Sequence, residues 1–145
     1  MLTLFILIAL FTLPAYSPVK KAMYIPESKA LEPYEVIWQA TCKVESNFKV
    51  DAIGDLHLKD KSYGISQIRK TRLDDYYRQT GIRYSEKDMF DPVKSKKVFL
   101  FYAHQFHPSQ IEEISRCWNG GERAMSKKST IKYWKKVQAN LKSEL

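Results

Sequence analysis

The sequence predicts a mainly α-helical single domain, and three observations carry that expectation. Apolar residues recur at helical spacing in five separate segments. No stretch alternates apolar and polar residues long enough to build a substantial sheet. The 145 residues, 44% of them hydrophobic, suffice for one core and not for two. The departure from helix is the polar stretch around 54–64, which suits at most a short β-hairpin or a loop.

Taken in order, residues 1–17 read as a signal peptide or short N-terminal hydrophobic anchor. Leu2 to Leu13 is a nearly unbroken apolar run without a charged side chain. It is shorter than the ~20 residues a membrane span needs and matches a signal-peptide core. Residues 18–31 follow as a linker, and 32–145 form the domain.

Pro33 opens the first helix at the position where proline is tolerated, with Glu32 and Glu35 at its positive end. Tyr34, Ile37, Trp38, Thr41 and Cys42 define one face, and the same spacing carries that face to Glu45. Glu45 therefore sits on the apolar side, at the helix C-terminus, because Ser46-Asn47 breaks the pattern. Desolvation and the negative end of the helix dipole both disfavour its charged form. A carboxyl tuned upward in this way suits a general acid working near neutral pH. The alternative is a Glu turned to water, paired with Lys43 or Lys49.

Tyr63-Gly64 marks a tight turn. Arg69–Thr80 is the second helix, with Leu73, Tyr76 and Tyr77 inward and Gly81 as its stop. Asp91-Pro92 starts the third, whose Val93, Val98, Phe99, Phe101, Tyr102 and Phe106 supply core. Ser109-Gln110-Ile111-Glu112 reads as a capping box for the fourth helix, which buries Ile111, Ile114 and Trp118 and ends at Asn119-Gly120-Gly121. The fifth, Thr130 to about Lys142, turns Tyr133, Trp134 and Val137 inward and its lysines outward.

The net charge is +8, with a pI near 9.4, which favours polyanionic partners through the summed field. No recognised nucleic-acid motif accompanies that charge, and an exported chain would not meet DNA. His104 and His107 lack a third partner at ligand spacing, so no metal and no cofactor is expected. The order Cys42, His104, Asn119 is that of a cysteine peptidase, but Cys42 sits near a helix C-terminus, where the dipole raises a thiol pKa rather than lowering it. In an exported chain the two cysteines, Cys42 and Cys117, suggest one disulfide; two buried thiols are the alternative.

Three stations now line up: Glu45-Ser46-Asn47-Phe48, Gly64-Ile65-Ser66-Gln67, and Cys117-Trp118-Asn119-Gly120-Gly121. Together they resemble the soluble lytic transglycosylase domain of the lysozyme-like superfamily, whose pattern is E-S-x-F, G-L-M-Q, A-Y-N-x-G. Asp91-Pro92 and Tyr133-Trp134-Lys135-Lys136-Val137 resemble two further family motifs, so the likeness runs from about Ile37 to Val137. The resemblance implies a lysozyme-like α-helical domain that cleaves the MurNAc-β-1,4-GlcNAc bond of peptidoglycan and forms 1,6-anhydroMurNAc. It makes Glu45 the single catalytic acid and base, with Ser46 orienting it. Gln67 and Asn119 hold the sugar, and Trp118, Tyr133 and Tyr63 complete the substrate-binding set.

The chain departs from that pattern at Ser66, where the family has a sugar-packing Met, and at Cys117-Trp118, where it has Ala-Tyr. In animal-type lysozymes a similar Tyr-Gly-Ile-x-Gln-Ile segment is preceded by a nucleophilic Asp. Here that residue is Ser62, and Asp60 is displaced by ~6 to 7 Å. The expected chemistry is therefore assisted by the substrate itself. Lysozyme-type hydrolysis is the alternative, and a non-catalytic basic wall-binding module a second one. The expected partner is the peptidoglycan glycan strand, not nucleic acid. The expected setting is a monomer, periplasmic or secreted, in association with a secretion or conjugation apparatus.

Overall fold

The computed structural model describes residues 33–141. The leader at 1–17, the linker at 18–31 and Lys142 lie outside the described residues. The chain is mainly helical, with one small sheet. Helix α1 spans Pro33–Ser46, α2 Lys70–Thr80, α3 Pro92–Ala103, α4 Ile111–Gly120 and α5 Ser129–Leu141. Strands β1 (Ile53–Gly54), β2 (Ser62–Tyr63) and β3 (Ile68–Arg69) form an antiparallel sheet in the order β1-β2-β3. The polar stretch thus builds more than the hairpin the sequence suggested, because the chain turns back at Gly64–Gln67 and pairs a third strand.

Helix α1 stops where two consecutive residues, Asn47 and Phe48, take left-handed φ values of 53° and 64°. The Phe48 N–H then reaches back to the Cys42 carbonyl at 3.3 Å, so the last turn closes on itself. The next turn depends on Gly64. Its φ is 77°, and a Cβ there would lie 1.9 Å from the Met89 carbonyl oxygen, so only glycine fits.

Helix starts and stops follow the sequence signals at most ends. Asp91 caps α3, accepting from the amides of Val93 at 2.8 Å and Lys94 at 3.4 Å. Gly81 ends α2 in the left-handed conformation, its N–H donating to the Tyr77 carbonyl. The capping box expected at Ser109–Glu112 does not form. Helix α4 begins one residue later, and Ser109 Oγ instead meets His107 Nδ1 at 2.9 Å. The box that does form is Ser85 with Asp88, ahead of the 3₁₀ turn Glu86–Phe90.

Phe99 of α3 is the centre of the core. Its ring lies 5.2 Å from that of Trp38 and 4.9 Å from that of Trp118, so α1, α3 and α4 meet on it. Ile37, Val98, Ile114 and Val137 close around this cluster. Two residues assigned to the core face water. Val93 is 75% exposed, about 200° round the first turn of α3 from the fully buried Ser95, and Tyr77 is 39% exposed. Tyr76 takes the inward position, which leaves Tyr77 about 100° round the helix, under the Arg83 guanidinium at 4.1 Å. Among the described residues no helix is long and apolar enough to cross a membrane.

Candidate active site

Glu45 lies in the last turn of α1, at a polar cleft of ≈ 470 Å³ between the sheet and the helices. The sheet contributes Asp55, Ser62, Gln67 and Arg69 to that cleft. Helix α2 contributes Thr71 and Arg72, and α4 contributes Trp118 and Asn119.

From behind, the Tyr133 hydroxyl of α5 donates to Glu45 Oε1 at 2.7 Å. Burial pushes the Glu45 pKa up to about 7, against the pull of the Tyr133 bond and the Arg72 charge. The carboxyl thus holds its proton to a higher pH than an ordinary glutamate does. Burial, and then the Glu45 charge, raises the Tyr133 pKa well above the usual phenol value, so its hydroxyl keeps its proton and remains the donor.

Glu45, Gln67, Trp118 and Asn119 converge on one cleft, as their motifs suggested they should. Their individual contacts differ from those the resemblance implied. Ser46 does not touch the Glu45 carboxylate. Its Oγ donates to the Ile65 carbonyl at 2.7 Å and so ties the end of α1 to the turn. The amide of Gln67 is largely engaged by backbone and scaffold, with one lone pair of Oε1 left over. Nε2 donates to the carbonyls of Gly64 (2.9 Å) and Ala52 (3.3 Å), and Oε1 accepts from Ser62 Oγ (2.7 Å). Gln67 therefore shapes the cleft wall, from a left-handed backbone position with φ 55°. The Tyr63 ring packs against Phe90 at 6.2 Å. Tyr133 stands behind the acid and is not a wall of the cleft.

Ser66 is fully buried and bonds Ser95 of α3, Oγ to Oγ, at 2.8 Å. The position that holds a sugar-packing Met in the family faces the core in this chain. Asp60, the carboxylate weighed as a nucleophile, caps α2 instead. It accepts from the Lys70 amide at 3.1 Å and from Thr71 Oγ1 at 2.9 Å.

Both cysteines are free, which corrects the expected disulfide. Cys42 is buried in the packing of α1 near Glu45 and Tyr133, whereas Cys117 lines a different cavity, beside α2 and α3. Burial, reinforced by Glu45 and Glu35, raises the Cys42 pKa far above the usual thiol value, the wrong direction for a nucleophile. His104 packs edge-on against Tyr34 at 4.4 Å. Among the described residues no group of three or more His, Cys, Asp or Glu side chains is placed to hold a metal ion.

Sequence reasoning missed three charged residues of this site: Asp55, Arg69 and Arg72. Asp55 sits just after β1, where Arg69 of β3 donates to its Oδ2 at 2.7 Å. Burial alone would raise the Asp55 pKa, but the Arg69 hydrogen bond and charge outweigh it and hold the carboxylate below its usual range. Arg72 is stacked between two rings, 4.2 Å from Trp118 and 4.9 Å from Tyr102, and its Nη2 donates to the Trp118 carbonyl at 2.8 Å. It thereby holds the end of α4, and Asn119 with it, at the cleft. The one sequence signal for Asp55 was its place directly after Gly54 at a turn.

No protein-family model matches the chain, and no curated protein does. Among solved structures, the chain resembles one chain of the crystal structure of Aeromonas hydrophila PliI in complex with Meretrix lusoria lysozyme. The TM-score is 0.59 and the identity 23%, over 72% of this chain and 88% of that one. At that identity the likeness concerns the fold.

Proposed function

We propose that this chain is a lysozyme-like enzyme that cleaves the MurNAc-β-1,4-GlcNAc bond of peptidoglycan as a lytic transglycosylase. The observation that carries the reading is the Glu45 carboxyl, placed at the cleft, held by the Tyr133 hydroxyl at 2.7 Å and pushed up to a pKa of about 7 by burial. In its protonated form Glu45 donates to the leaving glycosidic oxygen. The substrate's 2-acetamido group stabilises the positive anomeric carbon. The Glu45 carboxylate then takes the proton of the muramic C6 hydroxyl, and that oxygen closes the 1,6-anhydro ring. An intramolecular nucleophile gains the effective molarity of a tethered group, so no water need be positioned.

Asp55 gives this mechanism a second charge. Its pairing with Arg69 keeps it ionised and lowers its nucleophilicity, which suits electrostatic support of the developing cation better than covalent attack. A second reading, hydrolysis of lysozyme type, is favoured by the presence of any ionised carboxylate in the cleft beside Glu45. The fold likeness is compatible with both. On either reading the substrate lies outside the cytoplasmic membrane, so export by residues 1–17 belongs to the proposal, as does work beside a secretion or conjugation apparatus.

Loss of turbidity of purified sacculi tests the reading. The wild-type chain should clear them, and Glu45→Gln, nearly isosteric but unable to donate and then accept the proton, should not. A mutant as fast as wild type would remove Glu45 from the chemistry.

A further inference from the structure

A second cavity, of ≈ 390 Å³, adjoins the catalytic cleft, and Thr71, Arg72 and Trp118 line both. Its walls are apolar, made by Phe99, Tyr102, Phe106, Ile114 and Trp118. Its polar groups include three carboxylates, Asp75, Glu113 and Glu122, on a chain whose net charge is +8. The one cation in the lining, Arg72, is already engaged by two rings and the Trp118 carbonyl. Asp75 is engaged too, accepting from Tyr102 at 2.8 Å, Gln79 at 2.7 Å and Arg78 at 3.0 Å. Glu113 and Glu122 make no hydrogen bond or ion pair among the described residues, so two carboxylates remain for a ligand.

We propose that this cavity binds a linear alkylammonium group, the side chain of a diamino acid in a wall peptide carried by the glycan strand. The inference rests on the wall-cleaving reading for the identity of the ligand. Aromatic walls take a methylene chain, and the carboxylates take the charge at its end. An anion would meet the wrong sign. A neutral sugar would gain from the aromatic faces and leave the carboxylates unused. Because Thr71, Arg72 and Trp118 line both, a peptide attached to the strand could occupy the cavity while the glycan bond lies in the cleft.

The test uses the full chain carrying Glu45→Gln, so that nothing turns over. It compares the peptide L-Ala-γ-D-Glu-L-Lys-D-Ala with its Nε-acetyl derivative, and uses tetra-N-acetylchitotetraose as the glycan probe. Binding is followed by calorimetry and by the indole N–H resonance of Trp118. The amine peptide should bind and shift Trp118, and acetylation should weaken it at least about tenfold. Glu113→Gln with Glu122→Gln should weaken the amine peptide similarly and leave the acetylated one unchanged, with an unaltered melting temperature. Equal binding of the two peptides, or none by either, would overturn the proposal. So would insensitivity to the two Glu→Gln changes, or chitotetraose alone shifting Trp118, which would make the cavity a glycan subsite. Sacculus clearance by the wild-type chain is read alongside. Clearance without peptide binding rejects this inference only, and peptide binding without clearance rejects the wall-cleaving reading only.

Discussion

The Tyr133 hydroxyl donates to Glu45 Oε1 across 88 positions of sequence, joining α5 to the last turn of α1 at 2.7 Å. Two opposing influences meet in that contact. Burial drives Glu45 towards its neutral form, and the phenol bond stabilises the ionised one. A residue that must give a proton and then take one back is served by that balance.

Removing the phenol should shift the balance in a fixed direction. In Tyr133→Phe the ionised form of Glu45 loses its donor, so the Glu45 pKa rises above its wild-type value of about 7. In the proposed mechanism the acid form is needed first, so wild-type activity is expected to fall as pH rises through about 7. The mutant's basic limb should lie at higher pH, with a rate roughly tenfold lower, as losing one hydrogen bond of about 1–2 kcal/mol implies. Carbon NMR titration of the Glu45 carboxyl reads the shift without any substrate.

The same burial makes Glu45 a stability liability at neutral pH. Its folded pKa of about 7 exceeds the ordinary value of 4.5, so the folded state holds the proton more tightly than the unfolded one. That contribution is fully present below about pH 4.5 and is lost as pH rises through about 7. Glu45→Gln should remove this pH dependence. At pH 8 it should stabilise the fold by on the order of 2 kcal/mol, discounted for partial exposure, and near pH 4 by almost nothing. Urea denaturation at the two pH values gives the comparison.

The Ser66–Ser95 pair sits where the family that the sequence resembles carries a sugar-packing Met. Each hydroxyl is fully buried and has the other as its partner. Ser66→Ala and Ser95→Ala should each cost about 1–3 kcal/mol by stranding a polar group. The double mutant should recover part of that loss, giving a coupling energy in a double-mutant cycle of unfolding.

The free cysteines should differ in reactivity. Cys117 lines an open cavity, whereas Cys42 is 1% exposed. Intact-mass analysis after maleimide treatment should show one adduct on the native chain, at Cys117, and two after denaturation. Burial raises the Cys117 pKa, so labelling should be slower than for an ordinary surface thiol.

Local chemistry was the legible part of this sequence. The five helices, the Asp91 cap, the Gly81 stop and the inward position of Glu45 follow from spacing and single-residue preferences. Contacts distant in sequence were harder to read. The resemblance marked Tyr133 as facing the cleft, yet its bond to Glu45 depends on how α5 packs on α1. Asp55 and Asp60 looked alike as loop acids, and only the fold of the sheet sends one to the cleft and the other to cap α2. Gln67 was expected to hold the sugar, and it does line the cleft, but both of its amide N–H groups and one lone pair of Oε1 are engaged by Gly64, Ala52 and Ser62. Arg72 gave no signal at all, being one more basic residue in a polar helix until Trp118 and Tyr102 enclose it.

The mass of the glycan ends released from purified sacculi tests the central claim most directly. With Glu45 as the proton shuttle and Asp55 tied to Arg69, the wild-type chain should release 1,6-anhydromuramic ends, one water lighter than hydrolysis products, and Glu45→Gln should release none. Reducing muramic ends alone, abolished by Asp55→Asn, would contradict the transglycosylase mechanism and make Asp55 the second catalytic carboxylate of a hydrolase.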